Sequence, residues 1–407
     1  MKEKVFNQVQ KIGQEQLVRY WDILDERERR SLAAQIERTD WSVLENLAHP
    51  ENLSGKGKIE PIFGLRTEEI ERRRSEFFSL GSRAIAEGKV GAVLLAGGQG
   101  TRLGSDAPKG AFDIGVTRPL YIFEQQICNL LEVTSACGAF VPLYVMTSEK
   151  NNEETQRFWK DNGYFGYPKE FVRFFVQDMA PAVDFSGKAY LEGKASVALS
   201  PNGNGGWYSS LSRCGLLAEI KARGIEWLNA FAVDNVLQRI ADPLFVGACI
   251  AQGVNCGAKV VCKSEPHEKV GVLCLEDGKP NIIEYYELTE EMANARDEKG
   301  DLQFIYGVIL NYLFRLDKLE QIANEKIPVH VVKKKIPYLN GAGELVKPEA
   351  ENGYKFETLI LDMIRLMDTC LPFEVVRERE FAPIKNRTGV DSVESARKLL
   401  EKNGVKL

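Results

Sequence analysis

The sequence predicts an α/β protein with a central mixed sheet, preceded by a helical region and followed by a small C-terminal α+β domain. Three observations predict it. From Val90 the short apolar run GAVLLAGG stops on glycines, as expected of a buried parallel strand feeding a loop. Strand-like runs then alternate with helical patterns, the arrangement of a three-layer α/β domain. The residues before Val90 carry helical spacing instead. These shifts divide the chain into 1–88, 89–328 and 329–407.

In order, Leu17, Tyr20, Trp21, Leu24 and Leu32 recur at near-helical spacing, and Trp41 and 44–47 continue the pattern. Pro50 and the Gly55/Gly57 region interrupt it before a further amphipathic helix, ERRRSEFFSLGSRAIAEGK, which ends near Gly88. After the first strand, 120–131 and 153–161 read as helices. Residues 140–146, 171–177, 225–233 and 257–263 read as strands. Segments 271–275 and 282–288 read as strands around the turn Asp277-Gly278-Lys279-Pro280, and 304–314 returns to the core. Beyond Val329 short strands and turns lead to a final helix over 392–400.

With 407 residues, about three-quarters of the extended-chain area is buried on folding, enough for a sizeable core. A hydrophobic fraction of 44% and a charged fraction of 27% exclude wholesale disorder and fibrous repeats. The 53 basic and 58 acidic residues leave a net charge of −5, which argues against a general nucleic-acid binder. No cysteine pair has CxxC spacing, so the eight cysteines read as reduced buried thiols. His267 and His330 make no metal site with His49 by spacing, and Lys333 to Lys335 read as a solvated edge. The N-terminus lacks the apolar core of a signal peptide, and no run approaches the length of a membrane span. Cytoplasmic residence is the expectation.

The sharpest chemical signal is Leu95-Ala96-Gly97-Gly98-Gln99-Gly100-Thr101-Arg102-Leu103-Gly104. Glycines permit close backbone approach, and successive N–H groups can cradle phosphate oxygens. Arg102 can fork onto a phosphate, and Lys109, in Pro108-Lys109-Gly110, can meet distal phosphates. A Walker A loop would need Gly-Lys-Ser/Thr where Gly104 is followed by Ser105-Asp106. The dinucleotide fingerprint would need a glycine where Leu103 stands. Further along, Asp234 follows the strand-like 228–233. A carboxylate there suits either Mg²⁺, which takes hard oxygen ligands, or a turn cap.

From the glycine loop onward the sequence resembles the UDP-sugar pyrophosphorylase family, whose members transfer uridylyl from UTP to a sugar 1-phosphate. It looks most like the eukaryotic-type UDP-N-acetylglucosamine pyrophosphorylases. The resemblance runs from Gly13-Gln14-Glu15-Gln16-Leu17 to Lys385-Asn386. It implies a Rossmann-like nucleotidyltransferase (GT-A-like) fold. It also assigns Ala96, Gly97, Gly98, Gly100 and Thr101 to the nucleotide loop, with Arg102 and Lys109 near the phosphates. Gln177 matches the glutamine that contacts uracil, and a carboxamide offers that base both donor and acceptor. In Pro201-Asn202-Gly203-Asn204-Gly205-Gly206, the resemblance puts Gly205 at uracil and Asn204 near the sugar. Asp234 becomes the Mg²⁺-binding aspartate, Glu284 the receiver of sugar hydroxyls, and Lys355 and Lys385 the lysines approaching the sugar phosphate.

Two departures bear on the sugar. Asn311, a candidate pocket residue, lies in GVILNY, where Val308 replaces an asparagine expected to recognise the sugar. Leu359 and Leu361 align with an expected aromatic pair. The resemblance therefore implies N-acetylglucosamine 1-phosphate as acceptor, with glucose 1-phosphate or a broader hexose 1-phosphate as the alternative. The products are a UDP-sugar and pyrophosphate, with Mg²⁺ as cofactor and neither nucleic acid nor membrane as partner. A monomer or weak homo-oligomer is expected. The alternative in a different class is a non-catalytic nucleotide-sugar binding protein.

Overall fold

The computed structural model describes residues 1–48, 57–323, 325 and 327–407. The interruptions expected at Pro50 and Gly55, and His49, lie outside them. The chain groups into two compact units. One comprises Lys56–Val176, Trp207–Glu325 and Leu361–Leu407; the other comprises Met1–Gly55, Gln177–Gly206 and Lys326–Ile360. Divisions at 88 and 328 follow sequence position, whereas this grouping joins stretches distant in sequence.

The larger unit holds the central sheet. Its strands are β1 (Ile59–Pro61), β2 (Val90–Leu95), β3 (Leu143–Thr147), β4 (Val172–Val176) and β5 (Trp227–Ala232). After them come β6 (Cys256–Cys262), β7 (Val272–Glu276), β8 (Lys279–Ile283), β9 (Tyr306–Arg315) and β10 (Cys370–Glu374). The order is β1-β7-β9-β5-β2-β3-β4, with β8 beside β7, β6 beside β9, and β10 beside β6. β5, β2, β3 and β4 run parallel, and β9 is antiparallel to β5 and β6, so the sheet is mixed. Every residue of β2, β3 and β5 is buried, which explains their unbroken apolar runs.

Helices Ile122–Cys137 and Asn152–Asp161 connect the parallel strands where the alternating pattern expected them. Pro243–Gln252 starts at Asp242, which accepts from the Leu244 N–H. The final helix, Val393–Lys402, is capped by Ser392, which accepts from Ser395. Two sequence expectations need correction. β1 lies within a region expected to be helical, where it pairs with β7. The strand expected over 282–288 stops at Ile283, because Tyr285–Glu287 forms a 3₁₀ turn.

The smaller unit packs helices Lys2–Lys11 and Glu26–Arg38 over a core of Val5, Leu17, Trp21, Ile36, Val183 and Phe356. Gln14 donates to the Gly187 carbonyl at 3.0 Å and accepts from the Ala189 N–H at 2.7 Å, while Gln16 donates to the Ala189 carbonyl. The GQEQ segment thus stitches the N-terminal helices to a distant hairpin. A three-stranded sheet of 330–334, 353–357 and 183–184 completes the unit.

All eight cysteines are free. Cys249, Cys256, Cys274 and Cys370 are buried, but Cys128 and Cys214 are exposed, contrary to the uniform burial expected. Cys128 lies on the solvent side of a helix whose neighbours Ile127 and Leu130 face the core. Among the described residues no helix is long and apolar enough to cross a membrane.

Candidate active site

The glycine loop leaves the C-terminal end of β2, where parallel α/β sheets place their ligands. It is a built structure. Gly100 donates to the Ala107 carbonyl at 3.0 Å, and Lys109 donates its backbone N–H to Gly98 at 3.2 Å. A 3₁₀ turn, Thr101–Leu103, closes on Gly104, whose φ of +74° suits glycine. Leu103 is buried and anchors the turn, whereas Gly98, Thr101 and Arg102 are exposed.

A residue the sequence reading missed braces this loop. Asn151 is fully buried and donates to the carbonyls of Ala96 at 3.1 Å and Gly98 at 3.3 Å. Its amide oxygen accepts from the Ser148 N–H at 2.8 Å and from the Ser148 hydroxyl. In sequence an asparagine before a helix reads as a cap; here its carboxamide is directed into the loop from the end of β3.

At the C-terminal end of β5, Asp234 lies 3.4 Å from the Lys109 ammonium, with both side chains largely buried. Burial pushes the Lys109 ammonium below its ordinary value. The neighbouring Asp234 carboxylate opposes that shift, while Arg102 and Lys385 add to it. Four residues separated by up to 283 positions thus share one electrostatic neighbourhood. Lys385 also reaches the Asp391 carboxylate at 2.9 Å. Its segment is pinned beside Asp234: Ile384 donates to the Asp234 carbonyl at 2.9 Å, and the Asn235 side chain bonds Glu380 and Ala382.

Asp234 supplies one hard oxygen ligand, which fits Mg²⁺ that takes its remaining ligands from substrate phosphates and water, whereas the neighbouring ammonium and guanidinium groups would meet the phosphates. Among the described residues no group of three His, Cys, Asp or Glu could hold a metal independently.

The other expected residues divide between the two units. In the larger one, Glu284 is half-buried at the end of β8 and caps the Tyr285–Glu287 turn. Leu361 lies half-buried near the start of helix Ile360–Leu366. Asn311 does not line a pocket. It is fully buried, donating to Gln238 at 3.2 Å and accepting from Asn229 at 2.8 Å. The cause is a register shift in the β6–β9 pairing, with Leu310 at a φ of +55°. Val308 and Leu310 are instead the half-buried neighbours.

In the smaller unit, Gln177 directly follows β4 and is buried. Lys355 is half-buried on strand Gly353–Glu357, opposite Val332. The Asn204 amide oxygen accepts from the Ile360 N–H at 2.9 Å, so this side chain holds a helix start. A Cβ at Gly205 would meet the Leu359 backbone at 2.7 Å, and one at Gly203 the Thr358 carbonyl at 2.2 Å. These glycines are therefore required by the chain's own backbone, whatever ligand the loop takes.

The UTP–glucose-1-phosphate uridylyltransferase family matches residues 64–406. A Xenopus tropicalis UDP-N-acetylhexosamine pyrophosphorylase-like protein 1 is 39% identical, over 93% of this chain and 79% of the relative. The Saccharomyces cerevisiae UDP-N-acetylglucosamine pyrophosphorylase is 35% identical, over 93% and 84% respectively. Among solved structures, the Trypanosoma brucei uridine diphosphate N-acetylglucosamine pyrophosphorylase superposes with a TM-score of 0.84 at 28% identity, covering 98% of this chain and 84% of that one.

Proposed function

The chain belongs to the UTP–glucose-1-phosphate uridylyltransferase family, and from that premise we propose that it transfers UMP from UTP to N-acetylglucosamine 1-phosphate. It is a nucleotidyltransferase that produces a UDP-hexosamine, with pyrophosphate as the second product. The observation that carries the mechanistic reading is the Lys109–Asp234 pair, with Arg102 and Lys385 acting on the same ammonium.

A phosphate oxygen of the sugar 1-phosphate attacks the α-phosphorus of UTP, and pyrophosphate departs from the opposite side. The nucleophile is already anionic near neutral pH, so the chain needs no general base. Its tasks are alignment and screening of two polyanions. Backbone from Ala96 to Thr101 cradles the nucleotide, and Arg102 and Lys109 stabilise the triphosphate and the charge gathering on the leaving group. Gln177 and Gly205 address uracil, and Lys355 and Lys385 receive the sugar phosphate. Glu284 meets sugar hydroxyls, with Leu359 and Leu361 beside the acetamido group. Mg²⁺ held at Asp234 would supply divalent charge to the phosphates. Cytoplasmic residence, as a monomer or weak homo-oligomer, belongs to the same proposal.

Val308 favours one second reading. It lies beside Gly271 in the neighbourhood of Ile283, next to Glu284, and offers no hydrogen bond to an acetamido group. The deciding assay follows pyrophosphate release from UTP and Mg²⁺ with N-acetylglucosamine, N-acetylgalactosamine, glucose and galactose 1-phosphates. Preference for N-acetylglucosamine is expected. Preference for a neutral hexose would overturn that acceptor and make Val308 the first candidate specificity switch.

A further inference from the structure

Arg387 is a charged side chain beside the glycine loop that the site above leaves unused. It follows Lys385 by two residues on a turn closed by several backbone bonds. Lys385 and Asn386 donate to the Asp391 carbonyl at 2.7 and 3.1 Å, and Val393 donates to the Asn386 carbonyl at 3.1 Å. The guanidinium is therefore carried on a shaped support. Its Nη1 atom lies 3.5 Å from the position a Cβ would occupy on Gly104, the residue that ends the Arg102 turn.

The charges around it are unbalanced. Asp391, the carboxylate on the same turn, is engaged by the Lys385 ammonium at 2.9 Å. Asp234 is engaged by Lys109. Arg387 is exposed, and among the described residues its side chain has no hydrogen bond or ion pair. A planar guanidinium presents paired donors that match neighbouring phosphate oxygens, and it is less strongly hydrated than an ammonium. We propose that Arg387 binds the β- and γ-phosphates of the nucleotide and holds the departing pyrophosphate, acting from the Gly104 end of the loop turn. This rests on the nucleotidyltransfer reading and adds a residue to its leaving-group side.

The full-length chain and its Arg387→Ala and Arg387→Lys variants test it. Inorganic pyrophosphate with Mg²⁺ is titrated calorimetrically, and KM is measured for UTP and for the sugar 1-phosphate. Arg387→Ala should weaken pyrophosphate about tenfold and raise KM for UTP similarly, the loss of one charge-assisted phosphate contact. KM for the sugar phosphate should not change, and Arg387→Lys should recover part of the loss. A parent that binds pyrophosphate measurably, but no better than Arg387→Ala does, overturns this inference alone. Equal increases in both KM values would mark a structural role and also overturn it. A parent that binds no pyrophosphate removes this inference together with the reading beneath it.

Discussion

Two demands meet on the Lys109 ammonium. It is largely buried beside one carboxylate, and the proposed reaction asks it to meet the negative charge developing on departing phosphate. Burial already disfavours its charged form, and a polyanion bound there would restore what desolvation removes. Lys109→Ala should lower single-turnover rate about a hundredfold or more, with UTP binding affected less, because preorganised charge acts most strongly in the transition state. An unchanged chemical step would remove Lys109 from the mechanism. Asn151 acts one layer deeper. Removing its carboxamide leaves the Ser148 N–H without that acceptor and the Ala96 and Gly98 carbonyls without that donor. Asn151→Ala should cost about 1–3 kcal/mol in urea unfolding. It should also raise KM for UTP more than KM for the sugar phosphate. That Arg102, Lys109 and Asp234 belong near strand ends could be read from the glycines and charges clustered there, and the structure brings the three into one neighbourhood. The place of Asn151 could not be read, because nothing local to an asparagine reveals which carbonyls it will face.

Short elements decide which side chains reach solvent. In β9, the register shift and the left-handed Leu310 turn Asn311 inward, where its amide is consumed by Gln238, Arg239 and Asn229. Strand alternation read from sequence carries no information about where one residue is inserted. The loop after β6 shows a second such device. Glu268 accepts from the Ser264 N–H at 2.7 Å and pairs with Arg377 at 2.8 Å, while Arg377 also donates to the Cys262 carbonyl at 3.0 Å. Burial would raise the Glu268 pKa, yet these hydrogen bonds and the Arg377 charge hold it below the ordinary carboxylate value. A depressed carboxylate contributes stability above its unfolded pKa, about 4.3, and that contribution is lost as pH falls through the folded value. Parent stability should therefore exceed that of Glu268→Gln at pH 7, and the gap should close as pH falls below about 4. A gap of constant size in urea unfolding at pH 7 and pH 3.5 would contradict this assignment.

At the scale of the whole molecule, stretches far apart in sequence are tied by buried polar groups. In the larger unit, Lys259 is fully buried on β6 and donates to Asp242 at 3.0 Å, to Glu380 and to the Arg239 carbonyl. Burial pushes the Glu380 carboxyl up, whereas Lys259 and Arg239 hold Asp242 down against the same burial. Glu380 also leads into the segment that Asn235 pins beside Asp234, so this cluster is continuous with the chain that carries Lys385. Lys259→Met should strand two buried carboxylates and destabilise the fold by about 3–5 kcal/mol. A small change in the urea midpoint would show that water replaces the ammonium. What the sequence determined by itself was the α/β class and the order of the parallel strands and helices along the chain, with a glycine loop at the end of the first buried strand. Apolar periodicity, glycine density and charge at strand ends are local properties that a chain displays before it folds. What only the tertiary structure decided was the partner of each polar group. It brought Lys385 to Lys109 and Arg387 to Gly104, buried Asn311 among Gln238, Arg239 and Asn229, and gave Asn204 a bond to a helix start. Those outcomes depend on contacts between residues tens to hundreds of positions apart, and buried hydrogen-bonding groups take whichever partners folding places within reach.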